Sequence, residues 1–124
     1  MKTFGNFDPR SIVAEDDLFT LIWDKYPVSP GHLLIVVKRP VARFQELTDN
    51  ERSRLMHWMA WSTDHLYSTL QPKPDGINFG LNDGEAAGQT VGQLHFHMIP
   101  RYRGDAPDPR GGVRFVLPER ARYW

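Results

Sequence analysis

Residues 88–101 read Gly88-Gln89-Thr90-Val91-Gly92-Gln93-Leu94-His95-Phe96-His97-Met98-Ile99-Pro100-Arg101. On a strand, side chains two apart share a face. Gln93, His95 and His97 then form one polar row, with Leu94, Phe96 and Met98 on the apolar side. A core histidine usually stands alone with one hydrogen-bond partner, so two histidines and a glutamine aligned beside a Gly-rich loop point to a site. Three chemistries can use such a row. Neutral imidazoles ligate zinc, which needs a third or fourth ligand; His32 is the obvious candidate, with Asp83 and Glu85 more remote. Protonated imidazoles and loop amides attract an anion such as phosphate. Alternatively, one imidazole nitrogen attacks phosphorus, and the covalent phosphohistidine-type intermediate passes to water or another acceptor. A histidine with a pKa of about 6.5 has enough neutral form at pH 7 to attack without a strong base. Its other ring nitrogen must then donate to a fixed acceptor that selects the tautomer.

Several elements must hold this row. Residues 11–24 alternate loosely around Asp16-Asp17 and read as two short strands about an acidic turn. His32 opens Leu33-Leu34-Ile35-Val36-Val37, an apolar run that reads as a strand covered on both faces and is stopped by Pro40. Thr48-Asp49-Asn50-Glu51 is a capping box. Behind it Leu55, Trp58, Met59, Ser62, Leu66 and Leu70 recur at helical spacing, predicting a helix from about 49 to 70 that ends before Pro72 and Pro74. His57 and His65 lie on or beside this helix and read as structural or surface residues. Ile77 to Leu81 and Leu94 to Pro100 read as strands flanking the polar loop Asn82 to Thr90, and Pro107 to Pro118 is Pro/Gly-rich around Val113–Leu117. The order β-β-β-α-β-β predicts an α+β fold, an antiparallel sheet of about five strands with one long helix packed on it.

The motif residues resemble those of the histidine triad (HIT) family, whose members carry His-φ-His-φ-His-φ-φ (φ apolar), usually after Gly-Gln-Thr or Gly-Gln-Ser. Gly88-Gln89-Thr90 is present, as are Pro30-Gly31-His32 before an apolar strand, Lys38-Arg39-Pro40-Val41, Phe44, and Asn82 eleven residues before the triad. The likeness covers roughly residues 12–118. It is greatest to a bacterial branch similar to diadenosine polyphosphate hydrolases, which often has a tail like Asp108-Pro109-Arg110-Gly111-Gly112-Val113-Arg114. The resemblance implies a HIT-like fold with a short additional helix. It puts the nucleophile at His95, with His97 contacting phosphate and helping the leaving group, supported by His32. Asp24 matches the position that holds the ribose hydroxyls. Asn82, Gln89 and Thr90, with Gly88 in the same loop, match the groups that bind phosphate oxygens. Ile12, Leu18, Phe19 and Ile22 would form the purine slot, although ordinary core packing explains such residues equally well. The first triad position is Gln93, which hydrogen-bonds but cannot titrate. In relatives the backbone carbonyl of that residue takes the bond from the nucleophile's second nitrogen, so the chemistry is expected to survive.

The implied function is hydrolysis at the α-phosphate of a purine nucleotide derivative (a dinucleoside polyphosphate or nucleoside phosphoramidate) through a nucleotidyl-His95, releasing a nucleoside monophosphate. The alternatives are a nucleotidyl transferase, a non-catalytic nucleotide-binding protein, and a metal site on His95, His97 and His32. No cofactor is expected to be tightly bound, and Mg²⁺ would arrive with a polyphosphate substrate. A homodimer is expected by resemblance, with Arg110 and Arg114 reaching toward the partner's site.

With 124 residues the chain suits one domain, 1–124, with a core at about 12–100 and an Arg-rich tail at 101–124. The absence of cysteine excludes disulfide and Cys-zinc scaffolds. Met1 to Arg10 lacks the apolar run of a signal peptide, and Leu33 to Val37 is too short to cross a bilayer. A cytoplasmic location is therefore the expectation. Fifteen basic residues balance fifteen acidic ones, which argues against a nucleic-acid or membrane partner. The six arginines of the tail against Asp105, Asp108 and Glu119 could face a phosphate or simply solvent.

Overall fold

Asp16 folds the first two strands together: one carboxylate oxygen accepts the amides of Leu18 and Phe19 at 2.8 and 2.9 Å. The other accepts Trp58 Nε1 and Arg54 Nη1, both at 2.7 Å, which ties the turn to the long helix. In the computed structural model, which describes residues 1–124, β1 (Ile12–Glu15) pairs antiparallel with β2 (Phe19–Trp23), and β2 with β3 (Leu33–Val37). After α1 (Asp49–Thr69), β4 (Gly76–Leu81) and β5 (His95–Arg101) complete an antiparallel sheet in the order β1-β2-β3-β5-β4. The strand bearing the histidines thus lies between β3 and β4. It begins one residue later than the sequence predicts, because Leu94 bonds to Val41 and Val37 outside the β3–β5 register.

Cross-strand register sorts the side chains. Phe19, Leu21, Leu33, Ile35, Val37 and Met98 meet Leu55, Trp58 and Leu66 of α1 in the main core. On the opposite face Ile22, Leu34 and Val36 are covered by Phe4, Phe7 and Ile12. Every residue of β3 is consequently buried, as its unbroken apolar run predicts. Full burial of each such side chain stabilises by roughly 1.5–3 kcal/mol.

The capping box forms as predicted: Thr48 Oγ1 accepts Glu51 N–H at 3.1 Å, and Thr48 N–H donates to Glu51 Oε1 at 2.8 Å. Glu51 is only 2% exposed, and Arg39 donates to both its oxygens at 3.1 and 2.8 Å. Chiefly through Arg39, the carboxyl is held at about 2. Leu70 turns extended and the helix stops, as Pro72 and Pro74 require. Just before His32, Gly31 adopts φ +87°, and any Cβ there would run into Leu70 Cδ1. The tail folds on itself. Val113–Leu117 forms mostly a 3-10 turn (Gly112–Val116), followed by α2 (Pro118–Ala121), which is the short additional helix. No helix is long and apolar enough to cross a membrane.

Candidate functional site

His95 is the first residue of β5, and its Nδ1 lies 2.9 Å from the backbone oxygen of Gln93. A carbonyl can only accept, so the neutral ring carries its proton on Nδ1 and leaves the Nε2 lone pair free. That is the tautomer a nucleophile needs, and it depends on a backbone atom. The ring packs edge-on against Phe4, with centroids 4.9 Å apart, and lies 5.2 Å from the ring of His97.

His97 belongs to a chain of three groups. Val28 N–H donates to His32 Nδ1 at 3.0 Å. His32 must therefore keep its proton on Nε2, which lies 2.9 Å from His97 Nδ1 and 3.3 Å from Asp24 Oδ2. His97 Nδ1 then accepts, which leaves the proton of the neutral ring on Nε2 as a donor. Burial, followed by His95 and His32, lowers the His97 pKa to about 4, against the opposing pull of Asp24. Burial also lowers that of His32. Both rings are neutral at pH 7.

Asp24, His32 and His97 place ligand atoms within 4.8 Å of one another, the spacing a metal could use. The tautomer opposes this. A ligating His32 Nε2 would need its proton on Nδ1, where the Val28 amide already donates. The donor set therefore fits a proton-sharing chain better than a zinc site. Asp24 also accepts the Tyr26 amide on Oδ1 at 2.9 Å and is 15% exposed, so the carboxylate retains acceptor capacity.

The Gly-rich loop departs from the sequence expectation at Gln89. That side chain is buried: Oε1 accepts Gly84 N–H at 2.8 Å, and Nε2 donates to Ala42 and Val91 carbonyls at 2.9 and 3.0 Å. It shapes the loop from inside instead of reaching outward, because its amide satisfies three otherwise unpaired backbone groups. Thr90, Gly88 and Asn82 stay exposed. Gly88 has φ +95°, and a Cβ there would stand 4.0 Å from Asn82 Cγ. Asn82 follows Leu81, which pairs with Phe96, so it leaves the sheet beside His95. Gln93 keeps to the face of His95, since Leu94 between them is buried in the main core. It precedes β5, and its side chain donates to Val37 O at 2.6 Å while accepting Phe4 N–H at 3.2 Å.

The expected slot divides by face. Ile12, Ile22, Leu34, His97 and Gly80 are successive partners across the sheet, so Ile12 and Ile22 lead directly to the histidines. Leu18 and Phe19 do not: both pack with the main core beneath α1. Phe19 alternates with Ile22 along β2 and so faces the other way, while Leu18 sits in the Asp16 turn before the strand begins. Phe4 and Phe7, which the sequence reading did not single out, cover the histidine side instead. An aromatic pair separated by Gly5-Asn6 was the available signal. An open cleft of about 530 Å³ is lined by Gly80, the cross-strand partner of His97, with Ile99, Asn78, Arg101 and Val113, and by none of the histidines. His57 is exposed on α1, and His65 stacks on Trp61 at 4.6 Å, on the helix side of the sheet. Arg110 pairs with Asp108 and lies 4.4 Å over Trp124, while Arg114 donates to Ala121 O and lies 5.1 Å over Tyr123. Both arginines hold the tail to itself.

Comparison with known proteins gives concordant matches. The HIT domain family matches residues 7–104. Over 96 residues the chain is 36% identical to a Mycobacterium tuberculosis protein named AP-4-A phosphorylase, covering 77% of this chain and 48% of that protein. Over 81 residues it is 42% identical to the bis(5'-adenosyl)-triphosphatase of Dictyostelium discoideum, covering 64% of this chain and 52% of the relative. Its fold resembles the crystal structure of the C. elegans NitFhit protein with a TM-score of 0.78 and 28% identity, covering 98% of this chain and 28% of that one. The chain spans about half the length of these two curated relatives.

Proposed function

The chain belongs to the HIT domain family, and from that premise we propose that it hydrolyses a purine nucleotide derivative at the α-phosphate, with His95 as nucleophile. The observation that carries this reading is the bond from His95 Nδ1 to the Gln93 carbonyl. It prepares Nε2 for attack although the first triad histidine is replaced. Attack forms an Nε2–P bond and breaks the bond from phosphorus to the leaving oxygen or nitrogen. Water then attacks the same phosphorus, the N–P bond breaks, and a nucleoside monophosphate leaves. An acceptor other than water would make the protein a transferase.

His97 Nε2–H is the donor nearest this exchange, aligned by His32 and Asp24. Thr90, Asn82 and the amides of the Gly88 loop serve the phosphate oxygens, where fixed donors stabilise developing charge. Asp24 offers acceptor oxygens to ribose, and the row through Ile12 and Ile22 takes the base. Mg²⁺, where a polyphosphate brings it, belongs to the substrate. Because burial leaves His97 neutral at pH 7, the site suits leaving groups that depart as stable anions. That favours dinucleoside polyphosphates over phosphoramidates, whose amine must be protonated, and the names of the two curated relatives agree. The outer edge of β4 is unpaired within the sheet and carries the exposed Phe79, which supports a homodimer joined there.

The test is a product assay with a dinucleoside polyphosphate, an adenosine phosphoramidate and an acyl-adenylate, using wild type and His95→Ala. Monophosphate from wild type alone, fastest with the dinucleoside polyphosphate, supports the reading. Tight monophosphate binding without any His95-dependent product would instead make the protein a nucleotide-binding module.

A further inference from the structure

Two hydrogen bonds join residues 2–7 to the approach of β5, and a third ties that approach to β3. Gly92 N–H donates to Lys2 O at 2.6 Å, Phe4 N–H donates to Gln93 Oε1 at 3.2 Å, and Gln93 Nε2 donates to Val37 O at 2.6 Å. The chain passes so close here that a Cβ on Gly92 would meet Met1 Cβ at 2.8 Å and Met1 O at 3.1 Å. Beyond the contacts, Phe4 stands edge-on to His95 with ring planes at 85°, and Phe7 follows at 5.7 Å from Phe4. Both rings pack on Ile22, Leu34 and Val36, the apolar surface that continues into His97.

We infer that residues 2–7 form a strap over the nucleophile, and that Gln93 is a positioning residue that seats it. A triad position that could have carried a titrating group instead bridges β3 to the strap. Gln93 connects the two through one amide, which donates to a carbonyl and accepts from a backbone N–H at once, and does so at any pH. An imidazole at this position would lose its acceptor nitrogen on protonation. The strap in turn supplies two walls: Phe4 restricts the His95 ring, and Phe4 with Phe7 closes one side of the base slot. Phe4 and Phe7 therefore determine affinity for the planar base, and Gln93 acts through them without touching phosphate. This inference rests on the proposed base slot for its functional part. The seating of the strap stands on its contacts alone.

The experiment has two arms. Amide hydrogen exchange on the free protein compares wild type with Gln93→Met, which keeps the length of the side chain and removes both hydrogen bonds. Protection of the Phe4 and Gly92 amides is expected to fall about tenfold or more in the variant, as loss of two hydrogen bonds implies. Binding of adenosine monophosphate and steady-state KM and kcat are then measured for wild type, Gln93→Met, Phe4→Ala and the double variant. Each single change is expected to weaken binding and raise KM about tenfold with kcat within about twofold, and the double variant to be no weaker than Phe4→Ala. The inference is overturned if Gln93→Met leaves both amides protected, or lowers kcat with KM intact. It is equally overturned if the two effects add in full, or if Phe4→Ala tightens monophosphate binding, which would make the strap a plug. Should wild type neither bind nor turn over nucleotide, the proposed function fails while the exchange arm still judges the strap.

Discussion

Acid should begin to destabilise this protein through His97 before it reaches the carboxylates. A histidine whose folded pKa lies below its unfolded value resists protonation, so the unfolded chain takes the proton first and stability is lost as pH falls. For His97 the shift runs from 6.5 to about 4, and stability from this group is intact above pH 6.5 and falls progressively toward pH 4. Between pH 7 and pH 5 the linked loss is about 2 kcal/mol, with about 1.4 kcal/mol per pKa unit as the conversion. His32, also lowered by burial, adds in the same direction. Glu51, Asp16 and Asp105, all held at about 2, lose their contributions only as pH falls below their ordinary values near 4. The two windows therefore separate. Urea denaturation at pH 7, 6 and 5 should show the decline in wild type. His97→Asn, whose amide oxygen can still accept from His32, should retain roughly 2 kcal/mol more of its pH 7 stability at pH 5. Equal losses in the two proteins, or a wild-type midpoint that does not move, would refute the buried neutral chain.

Glu51→Gln should cost about 2 kcal/mol of unfolding free energy, because the buried carboxylate holds both Arg39 and the helix cap; denaturant titration with an effect below about 0.5 kcal/mol would contradict this. Gly31→Ala should destabilise by about 2 kcal/mol or more through left-handed strain and displacement of Leu70, and an unchanged melting temperature would argue against the turn that introduces His32. Dinucleoside polyphosphates should exceed adenosine phosphoramidates in kcat/KM at pH 7.5, with the gap narrowing toward pH 5 as the protonated fraction of His97, still a minority there, rises. A larger gap at pH 5 would assign proton delivery elsewhere.

The sequence disclosed most where the determinants are local. Thr48 and Glu51 mark the start of α1 because their hydrogen bonds span three residues, and the apolar run of β3 reports burial on both faces. His95 and His97 were legible from spacing, since residues two apart on a strand must share a face. What the residues alone could not convey is nonlocal. Leu18 and Phe19 look like Ile12 and Ile22 in composition, and only the register about Asp16 separates core from slot. Gln89 and Gln93 are polar residues beside a glycine-rich loop, and spacing does not say whether such a side chain faces a ligand or the protein's own backbone. The strap depends on a contact between Phe4 and Gln93, 89 residues apart. No pattern within the first ten residues encodes it.

The central claim is a covalent nucleotide on His95 Nε2. Rapid acid-free quenching of wild type with a diadenosine polyphosphate, followed by mass spectrometry of the peptide containing His95 and His97, tests it directly. An adenylate on His95 that forms within one turnover and decays as adenosine monophosphate appears is the expected result. Monophosphate produced at the same rate by His95→Ala, or an adenylate found on His97 instead, would contradict it.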